Sequence, residues 1–150
     1  MSVWKPAVAV AAIIERSGRF LFVEEEADGR RVLNQPAGHL DPGESLVDAV
    51  VREVLEETAH PFAPTALVGV YRWHYALRDT TFLRFAFCGD AAGAEPGRAL
   101  DREILALHWF TPEELAARRS MHRSPLVERC VADYLAGTRF PLEVLSREFA

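Results

Sequence analysis

Residues 32–45 read VLNQPAGHLDPGES, with Pro36, Gly38, Pro42 and Gly43 close together. Each proline removes a backbone donor, and each glycine opens conformations closed to other residues. We therefore expect a shaped loop over this stretch. Ser45 then offers an N-cap, with Asp48 three residues on as an imperfect capping box. From there Val47, Val50, Val51, Val54 and Thr58 recur at helical spacing and form one apolar stripe. A fixed loop feeding such a helix demands a packing partner for that stripe.

The same helix carries a second feature. Glu53, Glu56 and Glu57 cluster beside the stripe. Like charges three or four residues apart repel, and the helix dipole disfavours them toward the C-terminal end. A solvated acidic face is the ordinary reading. The glycine-shaped loop just before the helix offers another, because its carbonyls can join the carboxylates. Oxygen ligands of this kind suit a hard divalent ion, Mg²⁺ or Mn²⁺, which shares its shell with substrate phosphates.

Elsewhere, strands are predicted over Ala7 to Ile14, Phe20 to Glu25, Ala66 to Tyr75, Thr81 to Cys88 and Leu105 to Phe110. Thr111-Pro112 opens a helix, and a last helix runs from about Pro125 to Ala136 and ends at Gly137. No linker or repeat divides the chain, so residues 1–150 form one predicted domain. Strands on both sides of a central helix, with further helices late, give an α/β or α+β class with a mixed sheet between helices.

A net charge of −5 disfavours binding to a nucleic-acid polymer, which needs a basic face. The run AVAVAAII is followed at once by Glu15 and Arg16 without a cleavage pattern, so it reads as a buried strand. No stretch is long enough to span a membrane. Cys88 and Cys130 lack metal or redox spacing and read as reduced, buried thiols of a cytoplasmic protein.

From Gly38 to His60 the chain reads G-x5-E-x7-R-E-V-x-E-E-x-A-H, which resembles the Nudix box of the Nudix hydrolases. Gly38, Glu44, Arg52, Glu53, Glu56 and Glu57 match at the family's spacing. The resemblance implies a Nudix fold, an α/β/α sandwich, and metal-dependent hydrolysis of a diphosphate-linked substrate. It implies that Glu53, Glu56 and Glu57 bind or orient the metals and that a carbonyl of Ala37 or Gly38 adds a ligand. Glu44 and Arg52 would hold loop and helix together by ion pairing. Water, activated by the ions, would attack phosphorus. The segment from Glu103 to Phe110 is similar to a later family strand, whose preceding acid serves as base or extra ligand. Glu103 is the first candidate and Asp101 the second.

The box departs from the family at its end, where Ala59 and His60 stand in place of Gly and an aliphatic residue. An alanine in the left-handed turn costs about 1–2 kcal/mol, and Pro61 offers a different stop.

NQPAGHL, FLRF, RSPLV and AGTRFPLEVL are similar to segments of the phosphatase NudJ subfamily. That likeness implies release of inorganic phosphate from nucleoside tri- and diphosphates, and hydrolysis of hydroxymethylpyrimidine pyrophosphate, a thiamine precursor. Arg84 is either paired in the core or reaching into the cleft, where a guanidinium suits phosphate. Trp73, with Tyr71 and Tyr75, is either core or a stacking surface for a ring. Asn34 and Gln35 can read a base or ribose or brace the loop, and His39 can touch substrate or cap it. Arg123 and Ser124 stand before the last helix and either meet phosphate at its N-terminus or, the more ordinary reading, serve the fold. The expected partner is a small-molecule nucleotide or pyrimidine diphosphate substrate, and the protein itself is expected to be a monomer or homodimer. Two alternatives stand beside this: a Nudix pyrophosphatase for oxidised nucleotides, ADP-ribose or nucleotide sugars, and a non-catalytic nucleotide- or protein-binding domain.

Overall fold

The computed structural model describes residues 1–145. Its strands divide into two sheets rather than the one expected. The first is mixed, in the order β5 (Ala37–His39), β1 (Ala7–Ile13), β7 (Thr80–Ala91), β6 (Phe62–Tyr75). Here β1 runs parallel to β7, while β5 and β6 are antiparallel to their neighbours. The second is antiparallel throughout: β2 (Glu15–Arg16), β3 (Arg19–Ala27) and β4 (Arg30–Asn34), with β8 (Ile104–Phe110) on the other side of β3.

The interior strands lack a polar face, so both sides must be covered. Val10, Ala12, Ile14, Leu21 and Phe87 pack with Ala49, Val50 and Val54 of helix α1 (Leu46–Thr58). Ile13, Phe20, Phe22, Ala86 and Cys88 pack on the opposite side with Val127, Cys130 and Val131 of α3 (Leu126–Leu135). Period-two alternation thus sends neighbouring residues into different cores, and the expected α/β/α sandwich is present. A short α2 (Pro112–Ala116) begins at a full capping box on Thr111. Cys88 and Cys130 are free and buried. Among the described residues no helix is long and apolar enough to cross a membrane.

Two expectations need correction. The stretch 32–45 is not all loop: β4 and β5 lie at its start and middle. β4 is the return arm of a hairpin, joined to β3 by the two residues Asp28-Gly29, a turn signal that the sequence does carry. The three-residue β5 pairs with the distant β1 and leaves little local pattern. The buried face of α1 is also rotated. Val50, Val54 and Thr58 are buried as expected, but Ala49 and Glu57 join them while Val47 and Val51 are half-buried.

Helix α1 ends with Ala59 in the left-handed conformation (φ 60°, ψ 14°), its N–H donating to the Leu55 carbonyl. The chain therefore keeps the glycine geometry without the glycine. His60 supports this exit: its N–H donates to Thr58 Oγ1, and its Nδ1 lies 2.7 Å from the Thr58 carbonyl, which has lost its helical partner. The strain of about 1–2 kcal/mol is opposed by roughly 0.8 kcal/mol from the buried methyl and about 0.5 kcal/mol of backbone entropy that glycine would lose. Ala59→Gly is therefore expected to change stability by less than about 0.5 kcal/mol in denaturant melts. A gain above about 1 kcal/mol would show that the methyl does not offset the strain.

Candidate active site

A cleft of about 380 Å³ opens where β5, α1, the first residues of β7 and the loop before β8 meet. The loop before β8 folds back along the end of α1. There the N–H of Asp101 donates to the Glu56 carbonyl (2.9 Å) and that of Glu95 to the Ala59 carbonyl (2.8 Å). These bonds satisfy carbonyls that the helix end leaves open. They also set Asp101 beside the acid face. Carboxylate oxygens of Glu53, Glu56 and Asp101 lie within 4.8 Å of one another.

That convergence differs from the expected set. Glu57 is not in the group: it is buried, and its Oε1 accepts the Ala37 N–H at 2.8 Å. Asp101, the second candidate, is in the group, while Glu103 lines the same cleft outside it. No local pattern marks Asp101, because the long loop return that brings it here depends on the helix end.

Arg52 organises the acids. Its Nε and Nη2 grip Glu44 at 3.0 and 2.7 Å, and Nη1 donates to Glu53 (2.8 Å) and Glu56 (3.2 Å). A further bond from Nη2 to the His39 carbonyl ties the helix to β5. The Arg52 guanidinium holds the Glu44 carboxyl below its ordinary range. Gly38 supplies space, since a Cβ there would lie 2.0 Å from the Glu53 carboxyl carbon.

The two carbonyl candidates are not equivalent. Ala12 N donates to Pro36 O and Leu40 N to Val8 O, so alternation along the antiparallel ladder makes Val10–Gly38 a bonded pair. The Gly38 carbonyl faces β1, whereas Ala37 turns its N–H and carbonyl away from β1, toward the α1 side.

Burial raises the Glu53 carboxyl and pushes that of Glu57 up to about 9, with the nearby Glu25, Glu53 and Asp101 charges adding to the latter. Folded Glu57 thus holds a proton that the unfolded chain, with a carboxyl near 4.5, has lost. Stability from this group is present below pH 4.5 and falls as pH rises toward 9. We expect the melting temperature of the metal-free protein to decline across that window by calorimetry, and Glu57→Gln to flatten the decline. A wild-type profile as flat as that of the variant would mean Glu57 is already ionised.

The remaining predicted residues separate. Arg84, Asn34, Trp73 and His39 line the cleft. Trp73 stacks on Phe82 (5.7 Å between centroids, 18°) and Tyr75 (5.0 Å, 19°), and His39 lies against Phe82 at 6.1 Å. Gln35, expected at the substrate, is instead buried behind the cleft, where Nε2 donates to the Val127 carbonyl and Oε1 accepts from Arg84. Tyr71 turns to the core side and donates to Asp133, and Tyr75 donates to Asp28. Arg123 and Ser124 line the cleft too. Arg123 pairs with Glu25 at 2.7 Å, and Ser124 Oγ accepts from the Leu126 N–H.

The NUDIX domain family model matches residues 4–130. A protein of Escherichia coli K12 called Phosphatase NudJ is 38% identical over 142 residues, covering 95% of this chain and 92% of that protein. A solved structure described as a NUDIX hydrolase from Nitrosomonas europaea superposes with a TM-score of 0.94 at 50% identity, covering 96% of this chain and 98% of its own. The solution structure of the E. coli ORF135 protein gives a TM-score of 0.70 at 25% identity, over 88% and 90% of the two chains.

Proposed function

The chain belongs to the Nudix hydrolase family, and on that premise we propose that it acts as a single catalytic domain, a Mg²⁺- or Mn²⁺-dependent phosphohydrolase of the NudJ kind. In this reading it removes the terminal phosphate of nucleoside tri- and diphosphates and of hydroxymethylpyrimidine pyrophosphate, releasing orthophosphate. The observation that carries the reading is the convergence of Glu53, Glu56 and Asp101 in a cleft that also holds Arg84.

The donors present fit a hard divalent ion: they are all oxygens, mostly charged, and Gly38 leaves the Glu53 carboxylate its place. Glu53, Glu56, Asp101 and the Ala37 carbonyl would hold it, with Glu57 alongside. Such an ion supplies Lewis acidity and neutralises charge on the phosphates. Arg52 and Glu44 fix the helix against the loop, and Arg52 keeps two of the acids oriented in the ion's absence. Glu103 lines the same cleft outside the group of Glu53, Glu56 and Asp101. We assign it the proton of the attacking water. Trp73 and His39 bound the side of the cleft where a pyrimidine or purine ring would rest.

The test is a panel of nucleoside tri- and diphosphates, hydroxymethylpyrimidine pyrophosphate, ADP-ribose and a nucleotide sugar, with Mg²⁺, measuring orthophosphate and pyrophosphate separately. Orthophosphate from the uncapped substrates is expected. Pyrophosphate with a monophosphate would replace the specificity assigned here, and no product from any substrate would overturn the hydrolase reading.

A further inference from the structure

Arg84 is an unusual buried cation. It is 7% exposed, yet its contacts are neutral: Nη2 donates to Asn34 Oδ1 at 2.9 Å and Nη1 to Gln35 Oε1 at 3.0 Å. Acids are plentiful in the cleft, among them Glu25, Glu53, Glu57, Asp101 and Glu103. None forms an ion pair with Arg84 among the described residues. The other cation lining the cleft, Arg123, is taken by Glu25. A buried charge without a counter-ion is costly, and replacing either amide with a carboxylate would relieve it.

The amides are also fixed in orientation. Gln35 Nε2 donates to the Val127 carbonyl at 2.7 Å, so its Oε1 must face the guanidinium. Gln35 thereby couples the α3 backbone to the aim of Arg84, which makes it a positioning residue. The result is a full positive charge, held still, in the cleft that also holds the acid group.

We propose that Arg84, in its cradle of Asn34 and Gln35, is a receptor for an uncapped terminal phosphate. This rests on the phosphohydrolase reading and names the substrate end the cleft selects. A terminal phosphate carries about −1.5 to −2 at neutral pH, against about −1 for a phosphate bridging two groups. The neutral cradle leaves the guanidinium's charge undiminished, so it favours the more highly charged end, and its fork suits two phosphate oxygens. Capped diphosphates present no such end.

Asn34→Asp tests this, since it keeps the accepting oxygen and adds a counter-charge. In Mg²⁺, KM for a nucleoside triphosphate is expected to rise about tenfold with kcat within about threefold, and inorganic phosphate to bind about tenfold more weakly by calorimetry. Affinity for a nucleotide sugar should change less than about twofold. A merely structural Arg84 would gain an ion pair, so unchanged KM and phosphate affinity with an equal or higher melting temperature would overturn the proposal. Should Asn34→Asp fail to fold, Arg84→Lys decides, because it keeps charge but loses the fork; phosphate affinity equal to wild type would again overturn it. If wild type hydrolyses nothing yet binds phosphate in an Asn34-dependent way, the hydrolase reading falls and the receptor stands.

Discussion

Gly38→Ala is expected to lower kcat/KM by at least about a hundredfold while the protein still folds. The reason is space. A Cβ at position 38 would sit 2.0 Å from the Glu53 carboxyl carbon and 2.3 Å from both its oxygens. The obstructing group is the far end of a flexible side chain, so Glu53 can swing aside and spare the backbone. In doing so it leaves both Arg52 and the acid group it shares with Glu56 and Asp101. Calorimetric titration should show weakened Mg²⁺ binding beside a nearly unchanged melting temperature. Full activity in this variant would mean that the observed place of Glu53 is not needed for catalysis.

Glu56→Gln should have an effect at least as large, roughly a hundred- to a thousandfold in kcat/KM, because it removes a charged oxygen from the group itself. Glutamine keeps the size and one oxygen, so packing is preserved. Metal-free stability is expected to hold or rise, since repulsion from Glu53 and Asp101 is relieved while Arg52 keeps its grip on Glu44 and Glu53. The rise in melting temperature on adding Mg²⁺ should shrink, as a weaker ligand stabilises less. Wild-type turnover by this variant would remove Glu56 from the mechanism.

The acid face illustrates how far local pattern reaches. Glu53, Glu56 and Glu57 are legible as a group because helical periodicity fixes their angular spacing, and the Glu44–Arg52 pair is what the resemblance to the family implies. Their division of labour is not legible. Glu57 is pulled inward by the Ala37 N–H, and its place near Glu53 and Glu56 is taken by Asp101 from a loop more than forty residues on. Arg84 shows the same limit. Alternation along β7 sets it apart from Leu83 and Phe85, but whether it faces a counter-ion or a pair of amides depends on which strand and helix lie opposite.

The helix exit is a case where composition misleads and geometry decides. Ala59 in place of glycine suggests a different ending, yet the φ of 60° keeps the usual turn. The bond from Glu95 to the Ala59 carbonyl and the two His60 contacts with Thr58 hold it there. Those partners come from the tertiary fold, and no rule of local propensity includes them.

By itself, the amino-acid sequence determined the helix and its acids, the alternation that sends β1 and β7 residues into two cores, and the kind of chemistry an oxygen-rich loop and helix can support. These are properties of short periods and fixed spacings. The tertiary structure alone decided that Asp101 joins Glu53 and Glu56, that Gln35 braces Arg84 from behind, and that the Ala37 carbonyl faces away from β1. Each of those depends on contacts between segments far apart in the chain, where the free energy of packing and hydrogen bonding, rather than local preference, selects the partner.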